Sequence, residues 1–219
     1  MRRGNPGAGR RHRAGRLWLL AAGLAMATLF AVAPSVVGAG PVTGSPKGAL
    51  RQQFVQRYVG KPAPDFTLTD TTGKEHHLGA LKGKVVLLNF WYSSCTPCRR
   101  ETPDLSAIYR AHAKNGLEIL GINLDDLLMP TAGHLPLQQF LDEFKPPYPI
   151  LMADEVVFEQ YGGIPVQPIS FLVGRDGKVA KLFWGAYPGA AFEQGIAEAL
   201  GVTTPRPATP GAAQPSGRP

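Results

Sequence analysis

The amino-acid sequence predicts an α/β domain in which helices flank a central mixed β-sheet. Through most of the chain, short apolar runs typical of buried strands alternate with segments whose apolar residues recur at helical spacing. Such alternation favours parallel strands joined by crossover helices. Further on, two strand-like runs flank a Gly-containing turn at residues 174–177, which predicts an antiparallel hairpin ahead of a last helix.

The first elements follow from local patterns. Residues 49–59 can form a short helix that leads into the domain. Residues 65–69 alternate between polar and apolar side chains as a strand does, and residues 70–74 have the composition of a turn. Residues 85–91 form an apolar, β-branched run with polar residues on both sides, which predicts a fully buried strand.

The later elements continue the alternation. A helix is predicted from Cys95 to about residue 112, with a kink at Pro103, which cannot donate a backbone hydrogen bond. Asp154 can cap a helix that reaches residue 161. The remaining predicted elements are strands at residues 117–124, 150–151, 169–173 and 178–184, and helices at residues 135–144 and 188–200.

Composition divides the chain into five segments. They are a basic N-terminus at residues 1–16, an apolar segment at 17–39, a linker at 40–59, the domain at 60–201, and a Pro/Gly/Ala-rich tail at 202–219 that we expect to be disordered. Eight of the 23 basic residues lie in the two ends, so 15 remain against all 16 acidic ones. The central part has no basic surplus, and nucleic acid is not expected as a partner.

The N-terminal segments indicate export. Six arginines precede an uncharged, mostly apolar run at residues 17–33, and this pattern places the basic end in the cytoplasm. We expect segment 17–39 to be an uncleaved single-pass anchor, with the domain on the extracytoplasmic side. A signal peptide cleaved after the small residues near Val37 and Ala39 is the alternative. Either outcome places the domain where disulfides form and persist.

Cys95 and Cys98 are the only cysteines in the chain. At this spacing, between a strand and a helix, two cysteines can carry out thiol–disulfide chemistry. The free N–H groups at a helix N-terminus favour the thiolate of the first cysteine, which is the reactive form. A structural disulfide closing so short a ring would stabilise the fold only weakly.

Two further interpretations of the cysteine pair are weaker. A zinc site would need two more ligands, and His76, His77 and His112 have no matching spacing, so no metal is expected. A buried, inert pair is disfavoured by the polar neighbours Ser94 and Thr96.

Four segments carry a resemblance to a known family: residues 60–66, 83–91, 95–103, and 167–173 followed by Asp176-Gly177. The chain resembles the TlpA/ResA-like thiol–disulfide oxidoreductases of bacteria, which are membrane-anchored or secreted members of the AhpC/TSA-redoxin superfamily and include cytochrome c maturation proteins. The resemblance implies a thioredoxin-like fold at residues 60–201, in the bacterial cell membrane or released from it, and no cofactor.

The resemblance also implies residue roles. Cys95 attacks a partner and Cys98 resolves the mixed disulfide. Glu101 tunes or deprotonates the inner cysteine, although an ordinary solvated glutamate is an equal alternative. Pro168, rather than Pro165, begins a strand with a cis peptide bond and presents main-chain groups to a partner.

Partners follow from the same resemblance. Protein dithiols or disulfides are the expected substrates, apocytochrome c thiols being the leading one, and a membrane thiol-electron donor would supply reducing equivalents. A reductant is expected because the export compartment already forms disulfides. Trp91 is expected to be a core residue with one edge at the site, whereas His134, Trp184 and Tyr187 are assigned no functional role.

Two departures from the family pattern bear on partner choice. Ser94 stands where the family often has tryptophan, and residues 125–136 are longer and richer in proline and glycine than expected. Two other functions stay open. One is a thiol peroxidase, because residues 63–66 also resemble peroxiredoxins, although Tyr92 occupies the position of their threonine. The other is a metal carrier or assembly module on the same fold.

Overall fold

The structure is a computed structural model that describes residues 46–202. The predicted basic N-terminus, the predicted anchor or signal peptide and residues 203–219 of the predicted tail lie outside this range. Within residues 46–202, none of the helices combines the length and apolar character that a bilayer crossing requires.

The described part of the chain contains six α-helices and seven strands, together with two short 3-10 helices at Leu78–Leu81 and Ala113–Asn115. In order the α-helices and strands are α1 Pro46–Tyr58, β1 Thr67–Thr69, β2 Glu75–His77, β3 Val85–Trp91, α2 Thr96–His112, β4 Leu117–Asn123, α3 Asp125–Leu128, α4 Leu135–Phe144, β5 Ile150–Met152, α5 Glu155–Gln160, β6 Ile169–Val173, β7 Val179–Trp184 and α6 Gly189–Leu200.

The central sheet has five strands in the order β5-β4-β3-β6-β7. Strand β3 pairs in parallel with β4, which pairs in parallel with β5, whereas β6 runs antiparallel to both β3 and β7. The predicted mixed sheet is therefore confirmed. Strands β1 and β2 form a separate antiparallel ribbon.

Apolar layers cover both faces of the sheet. All seven residues of β3 are buried, as predicted from its continuous apolar run. Leu87 faces the layer that holds Leu105 of α2 and Phe192 of α6. Leu88 faces the opposite layer, which holds Phe54 of α1. The redox helix α2 thus packs on the sheet beside the last helix, α6.

Local signals located several elements correctly. Helix α4 has the predicted bounds, and Asp154 caps α5 by accepting the Val157 N–H at 2.7 Å. The ribbon strand β2 and the short helix α3 were not predicted. Residues 46–58, inside the segment predicted as a linker, form α1, whose Phe54 and Tyr58 are buried in the core, so the fold begins before residue 60.

Candidate redox site

The two cysteines lie where β3 ends and α2 begins. Cys95 is the N-cap of α2, and its Sγ accepts the Cys98 N–H at 3.2 Å. The pair forms a disulfide with an S–S distance of 2.03 Å and a Cα–Cα distance of 5.2 Å. Pro97 occupies the first turn of the helix, where a missing N–H removes no helical hydrogen bond. The Cys98 N–H in the first turn of α2 is therefore directed at Cys95 Sγ.

Both sulfurs are shielded in this oxidised state. Cys95 is 3% exposed and Cys98 is 1% exposed, and both belong to the apolar layer that contains Trp91. The backbone carbonyl of Cys98 accepts the hydroxyl hydrogen bond of Thr102 at 2.9 Å. Cys98 is therefore the less exposed of the two cysteines.

Glu101 is buried one turn beyond Cys98. Its Oε1 accepts a hydrogen bond from Asn89 Nδ2 at 2.9 Å, and the same amide donates to Ser170 Oγ at 2.9 Å. Its Oε2 is buried with no hydrogen-bond partner among residues 46–202. Burial raises the pKa of Glu101 to about 7 and repulsion from Asp104 adds to this, although the hydrogen bond from Asn89 acts against it. Glu101 can therefore gain or lose a proton near neutral pH.

A cleft of about 250 Å³ gives access to this region from solvent. Pro97, Glu101 and Asp104 of α2 form one wall, and Tyr187 and Pro188 of the loop between β7 and α6 form the other. The Tyr187 backbone N–H lies near the Glu101 carboxyl group and favours its charged form. A larger cavity of about 330 Å³ lies at the opposite end of the sheet, away from the redox pair.

Pro168 lies at the same end of the sheet as the cysteines. The Gln167–Pro168 bond is cis, as the family resemblance implied, and Pro168 is buried. Ile169, the first residue of β6, pairs with Phe90 of β3. Because these strands are antiparallel, Pro168 continues the register beside Trp91, the last residue before the loop to Cys95.

The loop between Trp91 and Cys95 is held by charged side chains. Asp125 accepts hydrogen bonds from both the N–H of Ser93, at 2.8 Å, and its hydroxyl group. Arg99 donates to the Ser93 carbonyl at 3.3 Å. Ser94 Oγ donates to Met129 Sδ at 3.1 Å. The segment from Asp125 to Met129, which the sequence marked only as unusual, therefore supports the redox loop.

Comparison with known proteins places the chain. The model of the AhpC/TSA family matches residues 59–182. The chain belongs to the AhpC/TSA family. It is 38% identical over 128 residues to the thiol–disulfide oxidoreductase ResA of Geobacillus thermodenitrificans, which covers 58% of this chain and 70% of that protein.

Two solved structures of thiol–disulfide proteins agree with this chain in fold. A thiol:disulfide interchange protein of the thioredoxin family from Chlorobium tepidum matches with a TM-score of 0.57 and 28% identity, over 64% of this chain and 96% of that one. A secreted Mycobacterium tuberculosis disulfide oxidoreductase homologous to E. coli DsbE matches with a TM-score of 0.52 and 25% identity, over 61% and 95%. The AhpC/TSA-family chain is thus a thiol–disulfide oxidoreductase of the ResA/DsbE type with a thioredoxin-like fold.

Each of the three histidines considered as zinc ligands pairs with a different carboxylate. His76 pairs with Asp70 at 2.7 Å, and His112 of α2 pairs with Glu193 at 2.7 Å. His77 pairs with Asp65 at 2.9 Å. Residues 46–202 contain no group of three or more ligand-type side chains that could hold a metal ion.

The sequence alone did not predict several residues that surround the Cys95–Cys98 disulfide. Asn89 was read only as part of a buried strand, and Tyr187 was assigned no role although its backbone N–H lies near Glu101. A polar residue inside an otherwise apolar strand was the available signal for Asn89. Ser93 and Asp125 gave no such signal because their contact depends on the pairing of β3 with β4.

Proposed function

We propose that the chain reduces protein disulfides outside the cytoplasm, with Cys95 as the attacking residue and Cys98 as the resolving one. The supporting observation is the Cys95–Cys98 disulfide at the N-terminus of α2, with the buried carboxyl group of Glu101 one turn beyond. The helix N-terminus favours a thiolate at Cys95, the more exposed of the two cysteines.

The proposed reaction begins with the dithiol form. The Cys95 thiolate attacks one sulfur of a partner disulfide, an S–S bond forms between the two proteins, and the partner's other sulfur leaves and takes up a proton. Cys98, as a thiolate, then attacks Cys95 Sγ. The intermolecular bond breaks, the partner leaves as a dithiol, and two electrons have passed to it while Cys95 and Cys98 become a disulfide.

Glu101 is proposed to accept the proton of Cys98. A carboxyl group whose pKa is raised by burial to about 7 is well matched to proton transfer at neutral pH. Its lone Oε2 oxygen, without a hydrogen-bond partner among the described residues, is available for this proton.

Pro168 is proposed to border the partner-binding edge. Its place beside Trp91, next to the loop that leads to Cys95, puts the main-chain groups around it within reach of an extended partner segment. Pairing of this kind would align the partner with the outer sulfur.

The proposed direction of transfer rests on the proposed extracytoplasmic location. Exported proteins meet an environment that already forms disulfides, so a dedicated exported member of this enzyme class is proposed to be a reductant. Apocytochrome c is the proposed substrate, the disulfide of its cysteines being reduced to the thiols needed before haem attachment, with a membrane thiol-electron donor upstream. Segment 17–39 is proposed to hold the domain at the outer face of the membrane, and a secreted relative is consistent with export.

The deciding experiment is the reduction potential of the Cys95–Cys98 pair, measured by equilibration with dithiothreitol or glutathione. A value of about −270 mV or lower supports a reductant, and a value of about −120 mV overturns it. Cys95→Ser should abolish turnover of a disulfide reporter. Peroxide consumption by the purified protein at a rate above that of disulfide reduction would instead favour a peroxidase. N-terminal sequencing of the membrane-bound protein tests the anchor.

A further inference from the structure

Every polar group of Ser93 is bound by an acidic or a basic side chain. The N–H and the hydroxyl group donate to the two oxygens of Asp125, and the carbonyl accepts from Arg99. Ser93 is 1% exposed and lies two residues before Cys95. A backbone segment bound in this way on both sides has little freedom to move when the neighbouring disulfide opens.

Asp125 is itself fixed in place. It is 3% exposed, and its N–H donates to the side-chain carbonyl of Asn123 at 3.0 Å. The preceding N–H, of Leu124, donates to the Trp91 carbonyl at 2.8 Å. Because β3 and β4 are parallel, their carboxyl ends meet here, and Asp125 at the end of one strand reaches the loop that follows the other.

We propose that Asp125 is a positioning residue for Cys95, which fixes the loop before the disulfide and whose negative charge disfavours the Cys95 thiolate. This inference rests on the proposed function and goes beyond it. A less stable thiolate makes the dithiol form less stable relative to the disulfide, so Asp125 makes the protein a stronger reductant.

Other charges around the loop act in known directions. Arg99 and the N-terminus of α2 favour the thiolate, although Arg99 is also paired with Glu143 of α4. Glu101 lies further along α2, one turn beyond Cys98. Trp91, the last residue of β3, and Tyr92, the first residue of the loop, carry aromatic rather than acidic or basic side chains. Asp125 is therefore the buried negative group bound directly to the segment that carries Cys95.

The test uses three variants of the full-length protein. Asp125→Asn removes the charge, while its amide oxygen can still accept the Ser93 N–H. Asp126→Asn removes an equal charge from the next residue, whose side chain is 51% exposed, and is the matched control. Ser93→Ala removes the hydroxyl group that donates to Asp125 and leaves the carboxylate of Asp125 in place. The negative charge of Asp125 is then neutralised by one hydrogen bond fewer. The readouts are the pKa of the Cys95 thiol, from thiolate absorbance against pH, and the equilibrium constant with glutathione.

Opposite shifts are expected from the first and third variants. Asp125→Asn should lower the thiol pKa and move the glutathione equilibrium about tenfold towards the dithiol at pH 8, whereas Asp126→Asn should change it less than twofold. Ser93→Ala should raise the thiol pKa. A role in packing alone would give no shift, or shifts in one direction.

Two results would overturn the inference. One is an Asp125→Asn protein with the native disulfide and an unchanged thiol pKa. The other, which decides the question should Asp125→Asn fail to fold, is a Ser93→Ala protein whose thiol pKa is unchanged or lowered. Failure of the wild-type disulfide to be reduced reversibly would instead remove the proposed function itself, so the two failures are distinguishable.

Discussion

The side-chain amide of Asn89 on β3 donates a hydrogen bond to Glu101 on α2 at 2.9 Å, beneath the turn of helix that carries both cysteines. The same amide holds Ser170 of β6, so one residue joins two strands and the helix. A buried carboxyl group that keeps one satisfied oxygen and one without a described partner can titrate without losing its position. Glu101 therefore joins α2 to the interior of the sheet one turn beyond Cys98.

The first prediction concerns the pH dependence of disulfide exchange. The rate of the Cys98-dependent step should rise with pH through about 7, where Glu101 becomes a carboxylate able to accept a proton. Glu101→Gln should slow this step about 100-fold and remove the inflection. Quenched-flow decay of a mixed disulfide with a reporter peptide measures it. Glu118→Gln is the control: Glu118 lies at the start of β4 and pairs with Lys84, and its loss should leave the pH profile unchanged.

The second prediction concerns stability. Between its ordinary pKa of 4.5 and about 7, Glu101 holds a proton in the folded protein but not in the unfolded one. The folded state therefore binds more protons in this window, and the free energy of unfolding falls as pH rises through it. The difference in the free energy of unfolding between Glu101→Gln and wild type should therefore shift in favour of the variant by at most about 3 kcal/mol from pH 4 to pH 8. Urea unfolding of the oxidised proteins measures this, and a gap that stays constant with pH would contradict it.

Asn89→Ala should move the Glu101 inflection upwards. The lost hydrogen bond favours the carboxylate, so its removal leaves only the Tyr187 N–H to oppose burial and raises the pKa of Glu101 above 7, by about one pH unit. Ser170→Ala keeps the bond between Asn89 and Glu101 and should leave the inflection in place. An inflection that falls in the alanine variant at position 89 would show that the hydrogen bond does not favour the charged form.

Asp104→Asn should move the same inflection downwards. Asp104 lies in the cleft with Glu101, and its charge raises the pKa of Glu101. Asparagine keeps an oxygen for the Gly189 N–H, which Asp104 accepts at 3.0 Å at the start of α6. Because Asp104 is exposed, solvent screens its charge and a shift of a few tenths of a pH unit is expected. The shift should vanish at 1 M salt, and Asp142→Asn on α4 is the control.

Sequence patterns predicted the elements whose burial shows directly as a run of apolar residues. Strand β3 was recognisable because its burial on both faces requires a continuous apolar run. Strand β2, Glu-His-His, has no such pattern, since its pairing with β1 satisfies the backbone while its side chains stay polar. The part of α1 in the fold was missed because Phe54 is buried only through tertiary contacts such as its edge-on packing with Trp184.

The same distinction applies to the site. The spacing of Cys95 and Cys98 indicated redox chemistry without knowledge of their surroundings. For Glu101 the sequence could not separate a buried carboxyl group from a solvated one, because neighbouring arginines are found on helices beside glutamates of either kind. Asp125 could not be connected to Ser93 before the register of two strands 32 residues apart was known. The motif itself supplies the helix N-terminus and Arg99, whereas Asn89 and Asp125 come to the site only through contacts between distant segments.

The last prediction concerns the packing of α1 against the loop before β6. Gly162 has a φ of +80°, and a Cβ there would lie 2.7 Å from Phe54 Cζ and 3.0 Å from the Tyr58 hydroxyl. Gly162→Ala should therefore lower the free energy of unfolding by about 1 kcal/mol for the positive φ and by about 2 kcal/mol more for the displacement of α1. Gly60 has the same φ of +80° with nothing within 4 Å of a Cβ, so Gly60→Ala should show the first cost alone. Equal losses in urea unfolding would mean that α1 yields freely, and that its buried aromatic residues do not hold the loop that leads to Pro168.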